Sequence, residues 1–114
     1  MAFSFSRLII YESDYVTSEK ASKLVSEDFL QTTKCGTASC VGKIDSFEIW
    51  LGFKKGIPSW ECSCTKIMCS QSSKPCVHAI ALAIAWDRNR NVPDPTSEDI
   101  KFLTSMKSHQ NQRL

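Results

Sequence analysis

The feature that most constrains this chain is a set of four side chains placed close together: Cys62 and Cys64 as C-x-C, then Cys76 and His78 as C-x-H. Three thiolates and an imidazole are a donor set for tetrahedral structural zinc, and a fourth protein ligand leaves no open position for a catalytic water. To share one ion, the two pairs must meet in space. A strand points both thiols of a C-x-C to the same side, and one helical turn can carry both members of a C-x-H. The expected unit is therefore a strand ending in Cys62 and Cys64, a loop, and a helix beginning at Cys76 and His78. The apolar run Ala79 to Trp86, which follows the histidine directly, reads as a helix buried on most sides.

Size and composition are compatible with such a unit. At 114 residues the chain has the length of one small domain, whose modest core would gain stability from a metal. A composition of 42% apolar and 23% charged residues argues against a disordered chain. The longest apolar run is far short of the roughly 20 residues that span a bilayer. The N-terminus lacks the succession of basic, apolar and small residues of a secretory leader. These features lead us to expect a soluble intracellular protein, cytoplasmic or nuclear, with neither a membrane nor a small-molecule substrate as partner. In a secreted chain six cysteines would suggest a disulfide framework; here the ligand spacing favours metal binding. Cys69, in the loop between the ligand pairs, is an alternative ligand or a free thiol. Cys35 and Cys40, spaced C-x4-C, read as small buried residues rather than a second site.

The formal charge of +2 conceals a gradient. Residues 50–90 carry Lys54, Lys55, Lys66, Lys74, Arg88 and Arg90 against only Glu61 and Asp87, whereas residues 1–49 have an acidic excess. These six cations are the candidate nucleic-acid contacts, with Trp50 or Trp60 available for base stacking. The same set also fits an ordinary solvated surface.

Along the chain, Phe3, Phe5, Leu8, Ile9 and Ile10 read as a first strand. Thr17 or Ser18 is expected to cap a helix with Ala21, Leu24, Val25, Phe29 and Leu30 on one face. Ala38 to Gly42 reads as a short strand, followed by a turn over residues 43–46. Phe47, Ile49, Leu51 and Phe53 alternate as a half-buried strand, Lys54-Lys55-Gly56 supplies a turn, and a third strand runs from Ile57 to Cys64. Residues 65–74 read as a loop, with Ser72 and Ser73 as cap candidates and Pro75 suited to the first turn of a helix reaching about Arg88. After a connector containing Pro93 and Pro95, Thr96 or Ser97 is expected to cap a last helix bearing Ile100, Leu103 and Met106, with a polar, disordered end. The fold class is α+β: a small three-stranded antiparallel sheet with a zinc-clasped helix, an N-terminal strand and helix, and a C-terminal helix. The expected division is 1–36, 37–90 and 91–114.

The signature Cys62-Ser63-Cys64, Cys76-Val77-His78 and Ala81, with Trp60 ahead of the first cysteine and an apolar helix after the histidine, resembles the SWIM zinc finger. The resemblance spans roughly residues 37–86. It implies one structural zinc held by Cys62, Cys64, Cys76 and His78. Among SWIM proteins, those with the signature nearly alone are small recombination proteins. These pair with a RecA-like recombinase paralogue and help load or retain recombinase on single-stranded DNA. The implied function is a non-enzymatic module that binds DNA, a repair or recombination partner, or both. The alternative is a protein adaptor with structural zinc and no nucleic-acid contact. An enzyme fits the residues poorly. His109, the only other histidine, lies in the polar end, and no Gly-rich phosphate loop is present.

Overall fold

A computed structural model of the chain describes residues 4–26, 30–36, 38–44, 46–64 and 75–112. Its elements are α1 (Phe5–Tyr11), α2 (Tyr15–Ser26), β1 (Leu30–Cys35), β2 (Cys40–Ile44), β3 (Phe47–Lys54), β4 (Ile57–Cys62), α3 (Val77–Asn89) and α4 (Ser97–Gln112). The strands form one antiparallel meander in the order β1-β2-β3-β4. The α+β class is as expected.

The sheet follows from alternation and turn chemistry. Cys40, Ile44, Ile49, Leu51 and Cys62 face the core, while Lys43, Glu48 and Glu61 stay exposed. Between β3 and β4 the two-residue loop Lys55-Gly56 has both residues at positive φ, 54° and 78°. That backbone matches the twist of a tight hairpin, and Gly56 adopts it without steric cost.

The helix α3 is the centre of the core. Ala79, Ile80, Ala81, Leu82, Ala83 and Ile84 are all buried, because α1 and α2 cover one flank and the sheet covers the other. The alanines keep the helix thin enough for neighbours on several sides. Its C-terminus is closed by Asn91 at φ 64°, with Val92 N–H donating to the Asp87 carbonyl (2.9 Å) and Asn91 N–H to that of Arg88 (3.1 Å). This double bond with an αL residue satisfies carbonyls that the helix end would leave open. The indole N–H of Trp86, buried on α3, donates to the Gly36 carbonyl at 3.0 Å.

Several sequence expectations are corrected. Phe5 to Ile10 is helical, not a strand. Phe5 and Ile9 stand one helical turn apart and both are buried, so the run of Leu8, Ile9 and Ile10 fits a helical stripe as well as a pleat. Ser4 caps α1 by accepting from Arg7 N–H (3.2 Å). The second helix starts at Tyr15, ahead of Thr17 and Ser18, because the Asp14 carboxylate accepts from Thr17 N–H at 2.8 Å. Leu30 opens β1 instead of closing a helical face, which makes the sheet four-stranded. β1 reads LQTTKC, too polar to announce itself, as suits an edge strand. β2 runs on to Ile44, whereas the expected strand ended at Gly42.

Cys35 and Cys40 face each other across the β1–β2 hairpin and form a disulfide (S–S 1.99 Å); Cys40 is buried, as expected, whereas Cys35 is exposed on the edge strand. The chain remains helical to Gln112, where a disordered end was expected. As anticipated, Thr96 caps α4: Asp99 N–H donates to its hydroxyl (3.1 Å), and its own N–H donates to the Asp99 carboxylate (3.0 Å). Phe3, Phe29, Ser72 and Ser73 lie outside the described residues. No helix among the described residues is long and apolar enough to cross a membrane.

One buried carboxylate joins α3 to the start of α1. Asp87, fully buried on α3, accepts from the N–H groups of Phe5 (2.9 Å) and Ser6 (3.0 Å) and from the hydroxyls of Ser4 (2.7 Å) and Ser6 (2.6 Å). It thus occupies the positive end of α1 from a distant helix. Arg90, the C-cap residue of α3, pairs with it and lies 4.7 Å over the Trp86 ring. Asp87→Ala strands these donors and the guanidinium in a buried setting. It should lower unfolding free energy by about 3–5 kcal/mol in denaturant titration. A loss below about 1 kcal/mol would show that the carboxylate is dispensable.

Candidate metal centre

Two elements carry the four ligand candidates to one corner of the sheet. β4 ends at Cys62, whose side chain is buried and lies opposite Ile49. The chain turns out of the strand over Ser63 and Cys64, and Glu48 N–H fixes that exit by donating to the Ser63 hydroxyl at 3.0 Å. From the other side, Cys76 is the N-cap of α3. Its backbone is extended (φ −82°, ψ 170°), and its sulfur accepts from Ala79 N–H at 3.4 Å. His78 follows in the first turn. The sequence placed Cys76 inside the helix with Pro75 in its first turn; instead both precede it, and a thiol takes the capping role normally held by a hydroxyl or carboxylate.

Sγ of Cys62, Cys64 and Cys76 and Nδ1 of His78 all lie within 4.8 Å of one another. Nδ1 is 3.3 Å from Cys64 Sγ, 3.6 Å from Cys62 Sγ and 4.0 Å from Cys76 Sγ. A tetrahedral ion with metal–sulfur bonds of about 2.3 Å and metal–nitrogen bonds of about 2.0 Å needs donor separations of about 3.5–3.8 Å. The donor set therefore fits one metal ion, with His78 ligating through Nδ1. Phe47 stacks on the imidazole (4.7 Å between centroids, 28° between planes) and holds the ring in that orientation.

The thiols are electrostatically unequal. Hydrogen bonding from the Cys62 side chain and from Ala79 N–H pulls the Cys76 thiol down to about 5, at the positive end of α3. Its partner moves the other way: Cys62 is pushed up, first by that shared hydrogen bond and then by burial. Burial also pushes Cys64 up. One thiolate is thus present before a metal arrives, and it is Cys76.

The structure brings together the four residues that the sequence named as ligands. Of the basic set, the structure describes Lys54, Lys55, Arg88 and Arg90. Lys54 pairs with Glu61 at 2.6 Å and lies 5.7 Å over the Trp50 ring. Arg88 pairs with Asp94 at 2.5 Å, and Arg90 with Asp87. Lys55 stands exposed at the tip of the β3–β4 hairpin. Lys66, Lys74 and Cys69 lie outside the described residues. Sequence reasoning missed the stacking of Phe47 on His78. Alternation placed Phe47 on a strand, but only the register of β3 against β4 brings it beside the ligand helix.

No protein-family model matches the chain, and comparisons with curated proteins and with solved structures likewise find no match.

The thiol inequality sets the pH response of metal binding. Near about pH 8, Cys76 is already ionised while Cys62 and Cys64 hold their protons, so a metal displaces about two thiol protons. Apparent zinc affinity, measured by chelator competition, should rise about 100-fold per pH unit there. A rise of about 1,000-fold, the three-proton slope, would contradict the assignment of Cys76 as a preformed thiolate.

Proposed function

We propose that this chain is a non-enzymatic, SWIM-type zinc module, in which one structural zinc bound by Cys62, Cys64, Cys76 and His78 clasps α3 to the end of β4. The observation that carries the reading is the convergence of a C-x-C at the exit of β4 and a C-x-H at the start of α3, whose four donor atoms lie within 4.8 Å of one another. Four protein ligands leave no position for a substrate or a reactive water, so the ion acts by organising the fold. Function then belongs to the surface that the clasp organises.

For that surface the reading has two branches: DNA, including single strands, or a repair and recombination partner such as a RecA-like recombinase paralogue. The ion pairs of Lys54, Arg88 and Arg90 favour the protein partner, since a cation already matched to a carboxylate releases fewer counterions on meeting phosphate. The chain is then a zinc-stabilised adaptor, and direct contact with DNA is secondary.

Cys62→Ser or His78→Ala should abolish binding of one zinc per chain and collapse the cooperative melt, as expected where metal binding is folding energy. Retention of one zinc and an unchanged melting temperature would remove this site from consideration. On the adaptor branch, the zinc-loaded chain should co-purify with a RecA-like ATPase from its host and bind a labelled single-stranded oligonucleotide weakly, with little salt dependence. Tight oligonucleotide binding that falls steeply with salt would reverse the order of the two branches.

A further inference from the structure

Among the described residues the chain holds cysteines of two kinds. Cys62, Cys64 and Cys76 are free thiols gathered with His78, whereas Cys35 and Cys40 are joined as a disulfide. The two groups belong to opposite edges of the sheet, since Cys35 ends β1 and Cys62 ends β4. The disulfide takes no part in the metal centre.

Its two halves differ in access. Cys35 is exposed at the end of the outermost strand, with exposed Lys34 and Gly36 on either side. Cys40, directly opposite in the register, is fully buried and belongs to the apolar core. A thiolate arriving from solvent therefore meets Sγ of Cys35 and not that of Cys40, and an exposed disulfide is the labile kind. The bond is also one that the fold can spare. It closes a short loop, with a sequence separation of 5, and constrains the unfolded chain less than a long-range bridge would. The hairpin that it crosses has other fastenings. The β1–β2 pairing runs from Leu30 opposite Ile44 to Cys35 opposite Cys40, and Gly36 N–H donates to the Ser39 carbonyl at 2.8 Å. The Trp86 indole anchors the Gly36 carbonyl to α3. With the bond opened, these contacts keep the two sulfurs opposite each other. Cys40, once protonated, remains in the core as a small apolar side chain.

We propose that Cys35 and Cys40 form a reversible thiol–disulfide exchange site for small thiols of the glutathione class, in which Cys35 is attacked and Cys40 resolves. In reduction, a glutathione thiolate attacks Sγ of Cys35. The Cys35–Cys40 bond breaks, and Cys40 leaves with the electron pair and takes a proton from water. A second glutathione thiolate attacks the glutathione sulfur of the mixed disulfide, releasing Cys35 as a thiolate together with glutathione disulfide. Two glutathiones thus supply the two electrons. In oxidation, the Cys35 thiolate attacks glutathione disulfide, and Cys40, as thiolate, then attacks Sγ of Cys35 and displaces glutathione. No donor of the metal centre is consumed, so exchange is independent of the metal and of the adaptor reading.

The test is peptide mapping by mass spectrometry of the folded full chain, equilibrated in glutathione buffers from oxidising to reducing and quenched by alkylation. Residues 35 and 40 are expected to pass from disulfide to two thiols and back in native buffer, with a cooperative melt in both states. In the reduced chain Cys35 should be alkylated at least about tenfold faster than Cys40. Cys40→Ala, a small apolar replacement that removes the resolving thiol, should accumulate a glutathione adduct on Cys35. Cys35→Ser should leave Cys40 without one. A disulfide that opens only in denaturant overturns the proposal, as does a chain that loses its cooperative melt on reduction. So do thiols at 35 and 40 that glutathione disulfide fails to join, or an adduct that accumulates on Cys40.

Discussion

The arrangement of this chain depends on holding the start of one helix against the end of one strand. α3 runs through the buried centre, and six consecutive residues, Ala79 to Ile84, have lost their access to solvent. A helix so apolar has no preferred outward face, and packing alone would fix its rotation and register weakly. Two polar fixtures supply what the apolar contacts lack. At its N-terminus Cys76 and His78 converge with Cys62 and Cys64. At its C-terminal end Asp87 gathers the first N–H groups of α1. The first fixture ties the helix to the sheet and the second ties it to the N-terminal helices, so α3 is registered at both ends.

Much of the site was legible in the sequence for a local reason. The two pairs are short-range and close along the chain, so spacing alone brings their members near one another, although β4 stops at Cys62 and Cys64 lies in the turn after it, not on the strand that the sequence reading extended to Cys64. The thiolate bias of Cys76 was readable too, since it follows from position at a helix N-terminus. What escaped was non-local. Nothing near Asp87 announces that Phe5 and Ser6, at the other end of the chain, need an acceptor. The pairing of Cys35 with Cys40 depends on β1, a polar edge strand that alternation could not reveal. Leu8, Ile9 and Ile10 satisfy helix and strand periods equally well, and the choice was made by Ser4 and Asp87 capping the helix.

The basic residues show how composition misleads without a partner list. Six cations between residues 50 and 90 look like an electrostatic footprint. Three of the four that the structure describes are instead matched to acids, two of them by Asp94 and Asp87 next to the end of α3. Local excess of one sign and a free charged surface are different properties. That matching is why interaction between proteins carries more of the functional reading than contact with phosphate.

The claim on which the whole account rests is that the four donors bind one ion together. X-ray absorption at the zinc edge of the metal-loaded chain addresses it most directly. The account predicts a single shell of three sulfurs at about 2.3 Å and one imidazole nitrogen at about 2.0 Å. A shell dominated by oxygen, or one with two or more imidazoles, would contradict it.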